Sequence, residues 1–190
     1  MNARLRSAAP PRKEARMKGK GKFWAMVWMS LGLVFLAGCA ATIISDTVSA
    51  STIINAPPEK VFAYVADPKT ELEWDPAMKG ISNLEGSGLG FSERWQYNLS
   101  GQVLEGKRWT VDYVPNQRIV NKNSGDWGYT TNTWLFVPDP QGTKLMLVWE
   151  GYLRSFPSEL QKISNEAFQA SWQEGCDAVL KRIKAAVEKQ

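Results

Sequence analysis

Apolar and polar residues alternate along most of the chain from Val48 to Tyr152, and beyond Pro157 the apolar spacing changes to every third or fourth residue. The first pattern predicts strands and the second a helix. Val48–Asn55, with β-branched Ile53 and Ile54, reads as the opening strand. Asn55-Ala56-Pro57-Pro58-Glu59 reads as a helix start, with Asn55 as a cap and proline in the first turn, and Val61, Phe62 and Val65 form the apolar face. Asp67-Pro68 restarts the chain into a second short helix through Leu72, which Trp74-Asp75-Pro76 ends. Strands are then predicted over 80–85, 91–99, 102–114, 118–123, 129–137 and 144–152, with turns at Gly86-Ser87-Gly88, Gly101, Pro115-Asn116, 126–128 and 138–142. Strands at this spacing, joined by short turns, make an antiparallel meander. Leu160, Ile163, Ala167, Phe168, Cys176, Val179, Leu180, Ile183 and Val187 place an apolar stripe on a long final helix opening at Pro157-Ser158.

The faces of these strands set the candidate interior. Phe91, Glu93, Trp95, Tyr97 and Leu99 share one side of their strand; Ser92, Arg94, Gln96 and Asn98 share the other. Trp109, Val111 and Tyr113 alternate on the next strand, Trp134 and Phe136 on a later one, and Leu145, Leu147 and Trp149 on the last. A slip of one residue would reverse any of these assignments.

The N-terminal 38 residues follow a different pattern. Basic residues (Arg12, Lys13, Arg16, Lys18, Lys20, Lys22) precede a 15-residue apolar run from Phe23 to Ala37, and Leu36-Ala37-Gly38-Cys39 closes it. That is the build of an export signal. The run falls short of the roughly 20 residues of a spanning helix, which is the alternative reading. The tetrapeptide resembles the lipobox of bacterial lipoproteins. The resemblance implies cleavage before Cys39, acylation of Cys39 and attachment to a membrane. Ala40 rather than Asp follows it, which in Gram-negative lipoproteins accompanies sorting to the periplasmic face of the outer membrane. Met17 offers an alternative start. The expected organisation is signal peptide 1–38, lipidated tether 39–47 and one domain over 48–190.

The signal also carries the basic charge. Residues 1–38 hold eight of the 23 Lys+Arg and one of the 19 Asp+Glu, so the remainder has a net charge of −3. No basic cluster for a nucleic acid remains. The 152 residues from Cys39 suit one core. With Cys39 acylated, Cys176 has no intramolecular partner, and an inert buried thiol is expected. There is no histidine, which removes Ser-His-Asp and Cys-His catalysis and histidine metal sites. No metal or cofactor is expected, and a monomer is.

Strand, two short helices, about six strands and a long helix is the order of the helix-grip fold. With Ile53-Ile54-Asn55-Ala56-Pro57-Pro58-Glu59-Lys60-Val61-Phe62, the following Asp67-Pro68 and Trp74-Asp75-Pro76, residues 48–187 resemble the START/Bet v 1-like superfamily (SRPBCC, polyketide cyclase/dehydrase-like). The resemblance implies an α+β fold: a curved antiparallel sheet wrapped around the C-terminal helix, with a cavity between them. Its members bind or process hydrophobic molecules, so a hydrophobic small molecule or lipid is the implied partner.

Seven of the nine tryptophans lie after Cys39, many for a core of this size. The candidates to line a cavity are therefore Trp95, Tyr97, Trp109, Trp134 and Trp149 on strands, and Phe62, Trp74, Phe168 and Trp172 on helices. Polar candidates are Glu93, Arg94, Arg108, Asp112 and Glu150. Gly175, in mid-helix, costs roughly 1 kcal/mol relative to alanine and either makes room for a guest or allows close packing on the sheet. A binding module needs only the cavity. A cyclase/aromatase-like or hydrolase-like enzyme needs Glu93, Asp112 or Tyr97 to point into it. A structural envelope protein would have its interior filled.

Overall fold

The structure is a computed structural model, and it describes residues 44–99, 101–153 and 165–190. The described elements are β1 (Ile44–Ile54), α1 (Pro58–Ala66), α2 (Pro68–Trp74), β2 (Met78–Glu85), β3 (Ser92–Leu99), β4 (Gln102–Val114), β5 (Arg118–Gly125), β6 (Gly128–Asp139), β7 (Gly142–Leu153) and α3 (Asn165–Lys189). The seven strands form one antiparallel sheet in the order β1-β7-β6-β5-β4-β3-β2. Helix α3 packs on β1 and β7, and α1 and α2 lie against it. This is the predicted α+β helix grip, with both short helices after the first strand.

The boundaries differ where pairing overrides local signals. β1 begins at Ile44, so residues 44–47, read from sequence as the end of a tether, are strand: the long partner β7 continues to Leu153 and pairs with Ile44. α2 runs on to Trp74, where Asp75 N–H still donates to the Glu71 carbonyl at 2.9 Å. Asn55 does not cap α1. The N-cap is Pro57, with no side-chain hydrogen bond, and Asn55 N–H donates instead to Glu188 Oε1 at 2.8 Å. Asp67 does cap α2, accepting from Lys69 N–H at 2.9 Å. The predicted opening of the last helix at Pro157-Ser158, with Leu160 and Ile163, lies outside the described residues, as do the signal and Cys39.

The core divides in two. Leu180, Ile183 and Val187 of α3 are buried with Ile54, Val61, Phe136 and Leu145. Phe62 belongs to this closed core, edge-on to Tyr113 and Phe136 at 5.2 and 5.0 Å. The second cluster gathers Met78, Trp95, Trp127, Trp149, Leu153 and Phe168 toward the other end of the helix. Truncating a side chain of the first group costs about 2–5 kcal/mol through lost transfer energy and the hole left behind. The second group is built differently: its Trp95, Trp127 and Trp149 meet a void, as do Trp74 and Trp134 at the edge of the first.

Candidate ligand-binding cavity

A cavity of about 510 Å³ lies between the sheet and α3, with Trp95, Trp127 and Trp149 of the second cluster on its wall. That lies within the roughly 300–1,000 Å³ of ligand pockets. Strands β3 to β7 form its floor, α2 one wall and α3 the roof. Period-2 alternation carries Trp95, Tyr97 and Leu99 of β3 inward, the face read from sequence. Trp134 of β6 and Trp149 of β7 also face the void, as do Trp74 of α2 and Trp172 of α3.

The rings brace one another. Trp149 and Trp172 lie 4.6 Å apart, Trp74 and Trp134 meet edge-on at 5.8 Å, and Trp95 tilts against Trp127 at 5.7 Å. The edge-on pair is a favoured geometry that adds about 0.5–1.5 kcal/mol beyond burial, and the other two pairs are tilted at 43°. Two glycines let the indoles lie down on the sheet. A Cβ on Gly106 would come within 2.7 Å of Trp95 Cε2, and one on Gly151 within 2.5 Å of Trp149 Cζ2. Phe168 supports this wall from behind, stacked on Trp172 at 5.5 Å, and does not line the cavity.

Strand β4 departs from the sequence reading. Arg108 and Thr110 point inward, so Trp109 lies on the outer face, half-buried. A bulge between Thr110 and Asp112 inserts one residue and turns Tyr113 back toward Phe62. Trp109 and Tyr113, assigned together by strict alternation, are thus on opposite faces. Asp112 is likewise outside, in an exposed ion pair with Arg118 at 2.6 Å. Arg94 and Glu150 are exposed on the outer face.

The polar end of the cavity centres on Arg108. Its two terminal nitrogens grip Glu71 of α2, Nη2 to Oε1 at 2.7 Å and Nη1 to Oε2. Its Nε donates to Asn123 Oδ1 at 3.0 Å, and Asn123 passes the chain on to Thr130 Oγ1 at 3.1 Å. Nη1 also lies 3.0 Å from Glu93 Oε1, too far out of line for a hydrogen bond, so both Glu93 oxygens lack one. Glu93 is 1% exposed and faces a smaller side cavity of about 320 Å³. Glu71 and Arg108 line both cavities and so form a polar partition between them.

Burial dominates the titration of this end. It raises Glu93 to about 7, with Arg108 pulling down and Glu71 pushing up. It raises Asp75, on the main cavity, to about 6 against a stabilising N–H from Ala77. Burial lowers Arg108, but Glu71, Glu93 and Asp75 outweigh it and raise the guanidinium further. Tyr97 is pushed well above the ordinary phenol range, chiefly by burial. Cys176 lines the cavity with its thiol pushed up to about 12 by burial, then by Asp177 and Asp75.

Sequence reasoning missed Trp127, Glu71, Asp75, Asn121, Asn123, Thr130 and Asn132, all of which line the cavity. Trp127 and Asp75 sit in segments read as punctuation. Thr130 and Asn132 alternate with Trp134 on one face of β6, a usable signal. Among the described residues, no cluster of three His, Cys, Asp or Glu is placed to hold a metal ion.

Residues 45–188 match the family model described as polyketide cyclase / dehydrase and lipid transport. The chain belongs to that family. No curated protein matches it. Among solved structures, a protein of Thermus thermophilus is 22% identical with a TM-score of 0.65, covering 75% of this chain and 97% of that one. The Zhui aromatase/cyclase of Streptomyces sp. R1128 is 16% identical with a TM-score of 0.65, covering 76% and 94%. Ara h 8.0201 is 16% identical with a TM-score of 0.57, covering 77% and 99%. At these identities the likeness is one of fold, the Bet v 1-like helix grip. The match covers almost the whole of those chains, and residues 41–190 form one compact unit with its own core here.

Proposed function

We propose that this domain holds a hydrophobic small molecule or lipid between its sheet and α3. One observation carries the reading: the interior is not filled, and about 510 Å³ of space is walled by Trp74, Trp95, Trp127, Trp134, Trp149 and Trp172. Side-chain packing at normal interior density leaves few voids larger than a water molecule, so a space this size is a built feature. Family membership supports the same conclusion, since these domains typically take hydrophobic ligands. Native mass spectrometry of the protein expressed as the full chain in its host and purified from the envelope tests it. A co-purifying hydrophobic molecule at one per domain is expected. An empty domain whose tryptophan fluorescence does not move across a lipid and sterol panel overturns it.

The same proposal places the domain on a membrane. The basic, apolar and Leu-Ala-Gly-Cys segments support acylation at Cys39, five residues before the start of β1, on the periplasmic face of the outer membrane. Two or more acyl chains suffice for stable attachment. Cys39→Ala should remove the acyl mass and release the protein to the soluble fraction; retention in the membrane pellet overturns the anchor.

A second reading, acid–base catalysis on the guest, is favoured by Asp75, which lines the cavity with its carboxyl raised to about 6. A guest whose mass changes on incubation with the protein but not with Asp75→Asn would establish it.

A further inference from the structure

We infer that the cavity selects its guest by head-group charge: it takes an amphiphile whose polar end donates hydrogen bonds, an amine in preference to an alcohol, and excludes carboxylates and phosphates. This rests on the cavity-binding reading and names its ligand class.

The polar partition carries more negative than positive groups. Three carboxylates, Glu71, Asp75 and Glu93, stand around one guanidinium. Arg108 is already committed: its fork holds Glu71, its Nε holds Asn123, and the rest of Nη1 faces Glu93 at 3.0 Å. It therefore offers no two-point grip to an incoming anion, the geometry that makes arginine an anion receptor. Among the described residues, the other cation on the lining is Arg182, exposed on α3, where solvent screens it, and exposed Glu174 lines the same helix.

The unsatisfied atoms point the same way. Of the acceptors without a hydrogen bond, the Oδ1 of Asn132 lines the main cavity, while the two oxygens of fully buried Glu93 lie behind the partition, Oε1 3.0 Å from Arg108 Nη1. The indole Nε1 of Trp95 is the one buried donor left over among the described side chains. A buried polar atom without a partner costs about 1–3 kcal/mol, so a guest gains by bringing an N–H or O–H group to Asn132 Oδ1 and to the Asp75 carboxylate on the same lining, while the Glu93 charge adds to the negative field across the partition. A buried anion would face like charge instead, with no free counter-ion among the described residues. Six indoles along the walls add favourable faces for a cation.

The test uses residues 41–190 at pH 8 and three guests with one tail: dodecylamine, dodecanol and dodecanoate, titrated by calorimetry. The amine should bind at least tenfold more tightly than the carboxylate, with the alcohol between. Equal or tighter binding of dodecanoate overturns the inference while leaving the cavity reading intact. Failure of all three overturns the cavity reading and the inference with it. In a Glu93→Gln/Asp75→Asn double variant, the amine-to-carboxylate ratio should fall below about threefold. An unchanged ratio in a folded double variant overturns the role of this wall.

Discussion

Arg108 and Glu71, 37 positions apart in the chain, close a two-point ion pair that ties α2 to the middle of β4. The pair is nearly buried, at 11% and 7% exposure. It sets the height of α2 over the sheet, and with it the position of Trp74 over Trp134. Arg108→Met should destabilise the domain by about 3–5 kcal/mol, because Glu71 and Glu93 would be left buried without a counter-charge. Urea denaturation at pH 7.5 measures this. A loss under about 1 kcal/mol would show that α2 is held by its apolar contacts alone.

Stability should also fall as pH rises from about 4.5 to about 7. Glu93 is raised from 4.5 to about 7 in the fold, and Asp75 from 3.8 to about 6. In that window the folded state binds more protons than the unfolded chain, so the slope of stability against pH is negative. Below it both states are protonated; above it both are ionised and the deficit stays constant. For Glu93 the loss is on the order of 3 kcal/mol. Paired carboxylates elsewhere slope the other way, so the measurement is the difference between wild type and Glu93→Gln in urea at pH 4.5, 6 and 7.5. Wild type should lose ground to the variant across the series; a difference that stays flat would place Glu93 in a far more polar setting.

The order of elements was legible because apolar alternation and turn residues act locally. Trp95 and Tyr97 were legible on β3, a strand whose register with β4 runs unbroken from Ser92 to Leu99. Trp109 and Asp112 were not, because the bulge at Thr110/Asp112 is a property of pairing with β5 and leaves no mark on β4 itself. Phe62 and Phe168 look like Trp74 and Trp172 in sequence, apolar residues on a helix face. Only the curvature of the sheet decides which pair meets packed side chains and which meets space. Glu71 was invisible for a related reason: its partner is on another element, and an acid in a short helix ordinarily signals a solvated face.

Cys176 should be nearly unreactive. Its thiol is raised from 9.0 to about 12, which lowers the thiolate fraction at pH 8 roughly 1000-fold. It also lies on the cavity wall. In residues 41–190 it is the single cysteine, so labelling with a chromogenic disulfide reads it directly. The rate should be at least about 100-fold below that of the urea-unfolded chain and should drop further when a guest is bound. Labelling at the unfolded rate would mean that the wall opens freely to solvent.

Gly175 separates cavity from core most sharply. It sits inside α3, on the cavity lining, and a Cβ added there would meet nothing within 4 Å. Close helix–sheet packing therefore does not explain it. An alanine would restrict the unfolded chain and favour the helix without a clash, so Gly175→Ala should raise stability by about 0.5–1 kcal/mol. A larger side chain should then occupy the guest's space. Gly175→Leu should keep the wild-type melting temperature within a few degrees while weakening guest binding at least about tenfold, because a packed isobutyl group displaces the guest from the tryptophan wall. Thermal melts and calorimetry on the same samples separate the two effects. A Gly175→Leu domain that binds its guest as tightly as wild type would place the guest elsewhere, whereas one that melts far below it would show α3 seated on the sheet with no room to spare.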